Sequence, residues 1–299
     1  MHQQEAEPEK KKERVKKVSI SDLTSMKKEG REKVSVLTAY DYSTALLCDR
    51  AGVDVLLVGD SAGMVVLGHS STVPVNMQEM LMFCGAVSRG ARRAMIVGDM
   101  PFGSYQPSTS AAIENAIRFI KGGCDAVKLE GGMEIADRVK AIVDAGVPVM
   151  GHIGLKPQTS MLWEGYRLQG RTAESARRLV QDAQALEKAG AFSIVLEMVA
   201  SEVAEAITKK VSVPTIGIGS GSGCDGQVLV LHDLLGIYED IKPKFVKRYA
   251  ELAKPILDAV LSYTQDVKAG RFPEEHNTFH MNQEELEKFR KKKGDDEEQ

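Results

Sequence analysis

The sequence carries four cysteines, Cys48, Cys84, Cys124 and Cys224, and no two of them form a CxxC pair. Zinc and disulfide frameworks need closer, paired spacing, so these read as reduced thiols of a cytoplasmic protein. HxH and HExxH patterns are also lacking, which argues against a catalytic zinc. No apolar run approaches the roughly 20 residues needed to cross a bilayer. The opening MHQQEAEPEKKKERVKK holds no apolar segment of the kind that directs secretion. Charge of one sign is in small excess: the net charge is −3, which supplies no basic field to attract nucleic acid. There is no internal repeat and no sign of a second folded domain.

What is present is a chain of 299 residues, 43% hydrophobic and 27% charged, enough for one large α/β domain or two small ones. Both ends mix charges of both signs without a strong apolar period. Residues 1–17 read as a charged N-terminal extension and 281–299 as a charged C-terminal tail, both solvated and frayed. Residues 18–280 read as a single catalytic domain.

Four apolar runs in that domain each end on an acid: VDVLLVGD at Asp60, AMIVGD at Asp99, AVKLE at Glu130 and SIVLE at Glu197. Short runs rich in Val, Ile and Leu look like strands buried on both faces of a parallel sheet. A carboxylate where such a strand emerges has no packing reason to be there. Strand candidates fall at 34–40, 53–60, 94–101, 126–131, 147–154, 193–199, 214–219 and 228–233. Amphipathic helices fit 43–51, 77–89, 109–122, 133–145, 172–190, 201–210 and 245–268. Asn76 with Glu79 resembles a capping box, Ser201 is a candidate N-cap, and Gly146 and Gly190 fit the position after a helix end. Eight strands mostly separated by helices predict an α/β fold, a (β/α)8 TIM barrel, whose active site lies at the strand C-termini. An open doubly wound sheet is the competing arrangement. The long stretches 61–76 and 155–171, after the second and fifth strands, are then active-site loops.

Convergent carboxylates point to a hard divalent cation together with acid/base chemistry. Mg2+ takes oxygen ligands, often one or two carboxylates, with water and substrate completing the shell. Asp60 and Asp99 suit that role, with Glu130 on the next strand. Each Asp taken singly could equally cap the following helix. Lys128 and Glu130 are two apart on a strand and share a face. They could form a structural ion pair, or Lys128 could bind a substrate carboxylate or oxyanion. Glu197 sits in an apolar context, IVLEMV, where partial desolvation would raise its pKa toward that of a general base. Pairing with a Lys or Arg at the barrel mouth is the alternative. His152 ends the fifth strand as a candidate hydrogen bonder. His69 and His232 are weaker candidates. The glycine-dense GIGSGSGCDG (217–226) lacks a GK[ST] ending, and reads as a barrel-mouth loop that could line a cosubstrate pocket.

LTAYDYS (37–43), VGDSAGMVVLGHSSTVPV (58–75), GDMPFGSYQ (98–106), VKLEGG (127–132), PVMGHIGLKPQ (148–158), GYRLQGR (165–171), LEMV (196–199), PTIGIGSGSGCDGQVLVLHDLLGI (214–237) and FPEEHNTFH (272–280) together resemble the ketopantoate hydroxymethyltransferase family, from about residue 18 to residue 280. The resemblance implies a (β/α)8 enzyme of pantothenate and coenzyme A biosynthesis. Its reaction moves a one-carbon unit from 5,10-methylenetetrahydrofolate to 3-methyl-2-oxobutanoate, giving 2-dehydropantoate. By the same resemblance Asp60 and Asp99 match Mg2+ ligands and Glu130 a further metal-site carboxylate. Ser61 and Lys128 match positions that hold the oxo-acid, His152 a site histidine, and Glu197 the proton acceptor. Large homo-oligomers, commonly decamers, are implied too. An alternative is a related Mg2+-dependent oxo-acid lyase or mutase of the isocitrate lyase and phosphoenolpyruvate mutase type. Those lyases use a catalytic loop cysteine, and none occurs in 61–76 or 155–171.

Overall fold

Eight short strands, all parallel, close on themselves in sequence order: β1 (Val34–Thr38), β2 (Val55–Val58), β3 (Met95–Asp99), β4 (Ala126–Glu130), β5 (Val149–Gly154), β6 (Ser193–Glu197), β7 (Thr215–Ile218) and β8 (Gly226–Leu229), with β8 paired back to β1. This computed structural model describes residues 15–30, 32–160 and 167–292. Most of the N-terminal extension, the middle of the 155–171 loop and the last residues of the tail lie outside the described residues. The doubly wound alternative is excluded by the closure.

Between the strands run α2 (Tyr42–Arg50), α3 (Ala62–Val65), α4 (Met77–Gly90), α5 (Thr109–Lys121), α6 (Ala136–Asp144), α7 (Pro157–Ser160), α8 (Ala173–Lys188) and α9 (Ser201–Lys210), and α10 (Leu231–Leu235) follows β8. The Asn76–Glu79 capping box starts α4, and Gly146 and Gly190 follow α6 and α8 with φ of 89° and 98°. Ser201 is not a cap: it is the first residue of α9, behind Ala200, which offers no side-chain hydrogen bond.

Three other expectations shift. The last strand, predicted at 228–233, runs Gly226–Leu229, so His232 and Asp233 lie in α10. Gly226 allows this close pairing, since a Cβ there would meet Val34 O at 2.5 Å. Thr38 Oγ1 then accepts from Leu231 N–H at 3.0 Å and starts the turn into α10. The helix expected at 245–268 begins at Ala253, as α11 (Ala253–Lys268). A further helix, α1 (Ile20–Glu29), went unpredicted; a Ser19–Asp22 capping box begins it and Gly30 ends it in the left-handed region.

The chain divides into two compact units, Met1–Ala250 and Glu251–Gln299. The barrel lies in the first. The second holds α11 and α12 (Gln283–Lys292), the latter within the stretch read as a frayed tail.

Strand alternation sorts the first unit into two apolar clusters. Outward residues such as Leu56, Val58, Ile96, Val127, Leu129, Ile153 and Leu196 pack under the helices. Inward residues Val34, Val36, Val55, Leu57, Met95, Val97, Ala126, Met150, Val195, Ile216 and Val228 fill the barrel interior. Leu23 of α1 joins the interior cluster, flanked by Val18, Ile20 and Met26, and closes the end where the strands begin. Lys27 of α1 secures that plug, donating to Asp225 Oδ2 and Thr208 O, both at 2.8 Å.

Candidate active site

The inward alternation that is apolar low in the barrel turns charged at its top. On β4 the inward series is Ala126, Lys128, Glu130; on β3 it is Met95, Val97, Asp99. Register places Asp99 beside Lys128, Glu130 beside His152, and Gly154 beside Glu197. Asp60 lies two residues beyond the end of β2. Asp60, Ser61, Asp99, Lys128, Glu130, His152 and Glu197, all seven predicted site residues, line one cavity of about 330 Å³. His69 does not line it. His232 packs its ring on Tyr40, with centroids 5.5 Å apart.

Glycine before each Asp has a spatial reason. At Gly98 a Cβ would strike the Phe119 ring at 2.4 Å, so β3 can lie against α5 only without one. At Gly59 it would come within 2.8 Å of Ser61 Oγ. That hydroxyl is left free to meet Tyr40 Oη at 2.8 Å.

Lys128 is buried, and its ammonium contacts Asp99 Oδ1 at 2.6 Å and Glu130 Oε1 at 3.6 Å. The partner sharing its own strand face is thus the more distant one. Burial works against the charge on Lys128, but Asp99, Glu130 and Asp60 outweigh it and hold its pKa above the ordinary lysine value. Burial pushes Asp99 up to about 7 despite the opposing pull of Lys128. Glu130 is raised well above the carboxylate range for the same reason. Asp60 N–H donates to Asp99 Oδ2 at 3.2 Å, joining the ends of β2 and β3.

His152 stands between two acids. Its Nδ1 is 3.6 Å from Glu130 Oε1 and its Nε2 is 3.3 Å from Glu197 Oε2. Neither contact is aligned as a hydrogen bond, so both ring nitrogens are buried without a partner. Burial, reinforced by Lys128, lowers its pKa well below the ordinary histidine value and keeps the ring neutral. Burial raises Glu197 to about 8, with Lys128 pulling the other way. No Lys or Arg pairs with Glu197 among the described residues, so the alternative of a structural salt bridge is not met. The next residue, Met198, has φ 47° and lines the cavity. Backbone held in the left-handed region by a non-glycine residue is costly, and such strain gathers at functional sites.

No group of three His, Cys, Asp or Glu side chains among the described residues is drawn together closely enough to hold a metal unaided. The donor chemistry nonetheless fits Mg2+, which binds through one or two carboxylates and fills the remaining positions with water and substrate oxygens. Asp60 and Asp99 supply hard oxygens. Glu130 Oε1 is buried without a hydrogen-bond partner, as a group facing a bound cation or its water would be.

Four residues of the site had no place in the sequence reading. Thr72 presents a buried, unpartnered hydroxyl to the cavity. Tyr40 holds Ser61. Tyr105 and Gln158 are buried beneath the carboxylates and hydrogen-bond each other at 2.8 Å. Their signal was only their occurrence inside the long motifs, because nothing in a linear sequence links Gln158 to Asp60. The GIGSGSGCDG stretch joins β7 to β8 at the barrel mouth. Its Gly219, Gly221 and Ser222 line a second cavity of about 950 Å³, which shares Met198, Lys244 and Phe245 with the first.

Similarity to known proteins agrees with this arrangement. Solved structures with the same fold include 2,3-dimethylmalate lyase, a PEP mutase/isocitrate lyase superfamily member (TM-score 0.56, 14% identity, 90% of this chain and 93% of that one). Another is phosphoenolpyruvate phosphomutase from Streptomyces platensis (TM-score 0.56, 16% identity, 93% and 96%). At such identities the likeness concerns fold alone. Much higher identity relates the chain to 3-methyl-2-oxobutanoate hydroxymethyltransferases. The protein from Nitrosopumilus maritimus is 58% identical over 92% of this chain and 99% of its own length. The one from Carboxydothermus hydrogenoformans is 55% identical over 91% and 99%. The sequence profile of ketopantoate hydroxymethyltransferase matches residues 17–275. The chain therefore belongs to the ketopantoate hydroxymethyltransferase family, and it is an enzyme of the transferase type.

Proposed function

We propose that this enzyme transfers a hydroxymethyl unit to 3-methyl-2-oxobutanoate by way of an enolate, with 5,10-methylenetetrahydrofolate as donor and Mg2+ as cofactor, in a cytoplasmic route to pantothenate. The observation that carries the reading is the opposition, across one buried cavity, of two kinds of acid. On one side Asp99 and Glu130 flank Lys128, with Asp60 joined to Asp99 through its backbone N–H. On the other Glu197, raised to about 8, has no cationic partner among the described residues.

Asp60 and Asp99 would hold the cation, with Glu130 behind them. Mg2+, when bound, supplies Lewis-acid polarisation of a 2-oxo group. Lys128 and the Ser61 hydroxyl face the same space and suit a carboxylate and an oxyanion. Donors fixed in advance where negative charge develops contribute about 3–4 kcal/mol in comparable sites. Glu197 takes the proton from C3. Its elevated pKa makes it a stronger base than a solvent-exposed carboxylate, and the match between base and working pH favours transfer. Neutral His152, 3.3 Å from Glu197, leaves the base unpaired with any full positive charge. The adjoining cavity beside Gly219 and Gly221 is the space assigned to the one-carbon donor. All four cysteines are buried and none lines the first cavity, so a lyase-type loop cysteine finds no counterpart.

The test is proton exchange without the donor. Protein, Mg2+ and 3-methyl-2-oxobutanoate are mixed in D2O and the C3 proton is followed by NMR. Exchange that stops on adding EDTA is the expected result. Glu197→Gln should bind the oxo-acid and exchange it about 10²-fold more slowly or worse. Absence of exchange in the parent enzyme, with donor-dependent turnover also absent, would sink the reading.

A further inference from the structure

Gln158 is fully buried in the short helix after β5, with none of its surface exposed. Both polar atoms of its side chain and its backbone N–H are spent on the charged end of the barrel. Its Nε2 donates to Asp60 Oδ2 and to Met100 O, both at 3.0 Å. Its backbone N–H donates to Glu130 Oε2 at 3.1 Å. Its Oε1 accepts from the Tyr105 hydroxyl at 2.8 Å. One residue from the β5 loop thereby ties down Asp60 beyond β2, Met100 after β3 and Glu130 at the end of β4.

These contacts fix a direction. Glu130 N–H donates to Tyr105 Oη at 3.2 Å. The tyrosine proton has two acceptors in reach, Gln158 Oε1 at 2.8 Å and Glu130 O at 3.1 Å, and the nearer is Gln158. With Oε1 so occupied, Nε2 must face Asp60 and Met100, and an NH2 group can only donate. The flipped amide would set its oxygen against the Asp60 carboxylate and the Met100 carbonyl. The orientation follows from the network and does not depend on telling nitrogen from oxygen by position alone.

The consequence lies in what is left over. Gln158 occupies one oxygen of Asp60 and one oxygen of Glu130. Glu130 Oε1 is left with no hydrogen bond. We propose that Gln158 is the positioning residue of the cation site: it clamps one oxygen of each of these two carboxylates so that the other faces the cavity, and Tyr105 keeps its amide from turning over. This rests on the reading of Asp60 and Asp99 as Mg2+ ligands. Partners of this kind orient ligands they do not replace, and their loss typically costs about 10–100-fold in metal affinity.

The experiment measures Mn2+ binding, read from the electron paramagnetic resonance signal of the free ion, with no oxo-acid, donor or turnover involved. Mn2+ takes the same hard oxygen ligands. Gln158→Met keeps the side-chain length and the backbone N–H to Glu130 but removes the side-chain donor to Asp60 and Met100 and the acceptor for Tyr105; about tenfold or greater weakening is expected well below the variant's melting temperature. Tyr105→Phe leaves Gln158 in place but frees its amide; a smaller loss, about threefold to tenfold, is expected. Because both act through one chain of hydrogen bonds, the double variant should be no worse than Gln158→Met alone. A purely structural role would lower melting temperatures without that non-additivity. If both single variants bind Mn2+ within twofold of the parent while Asp60→Ala loses it, the assignment to Gln158 is wrong and the cation site stands. If Asp60→Ala and Asp99→Ala also bind normally, the cation-site reading itself fails. Should Gln158→Met not fold, Tyr105→Phe decides: an unchanged affinity overturns the proposal.

Discussion

The two ends of the barrel interior are built by the same strands on the same inward alternation, yet they obey opposite rules. At the end where strands begin, the inward residues are Val34, Val55, Met95 and Ala126, plugged by Leu23. Polar groups there are matched in pairs, as in Lys27 with Asp225 and Arg93 with Asp54, both at 2.8 Å. At the end where strands finish, the inward residues are Asp99, Lys128, Glu130, His152 and Glu197. Buried atoms at this end go without partners: Thr72 Oγ1, Glu130 Oε1 and both nitrogens of His152. Each such group costs about 1–3 kcal/mol in desolvation. The lower layers supply the stability which lets the top layer hold groups in wait for a ligand.

Lys128→Met should break that division most severely. It removes the buried cation between Asp99 and Glu130 and leaves their charges uncompensated, at an expected cost of about 3–5 kcal/mol in chemical denaturation. An unchanged unfolding midpoint would mean that the carboxylates shed their charge without structural cost. Leu23→Ala probes the other end. Withdrawing the plug should destabilise the barrel by about 2–5 kcal/mol. Proton exchange per folded molecule should nonetheless stay at the parent rate, since Leu23 does not line the cavity. A matching fall in exchange would show that the ends are coupled.

A smaller effect concerns pH. In the cation-free protein burial raises Glu197 from 4.5 to about 8, so the folded state holds this proton more tightly than the unfolded chain does. Below about pH 4.5 both states are protonated and the shift has no effect. Between about pH 4.5 and 8 the unfolded chain releases this proton while the folded site keeps it, so the native state is progressively penalised as pH rises to the folded value. Glu197→Gln carries no such penalty. Its melting temperature should therefore gain on that of the parent between about pH 5 and 8. A constant difference across that window would place Glu197 in a solvated environment. Mn2+ binding should likewise weaken as pH falls through about 7, where Asp99 takes up a proton in competition with the cation.

Much of this was legible in advance because it rests on local composition. Short apolar runs ending on an acid marked β2, β3, β4 and β6, and the seven site residues named from the sequence share one cavity. What failed was decided elsewhere in the chain. β8 ends early because Thr38 of β1 receives the Leu231 N–H. α1 is short and polar on average, and its role shows only in the barrel floor that Leu23 completes. Ser201 has the composition of a cap, but the turn from β6 puts Ala200 in that place.

The barrel and the height at which charge appears along each strand both follow from the order and spacing of residues, which are properties of the chain. Which charges meet depends on how the strands pair. Lys128 lies closer to Asp99, on the adjacent strand, than to Glu130 on its own, because β3 and β4 pair in register at that level while Glu130 lies one inward step higher. Gln158 reaches Asp60 across 98 positions of sequence because closure of the barrel brings the β5 loop over the ends of β2, β3 and β4. Partnership depends on distance in space, and a parallel barrel sets that distance by strand order and register.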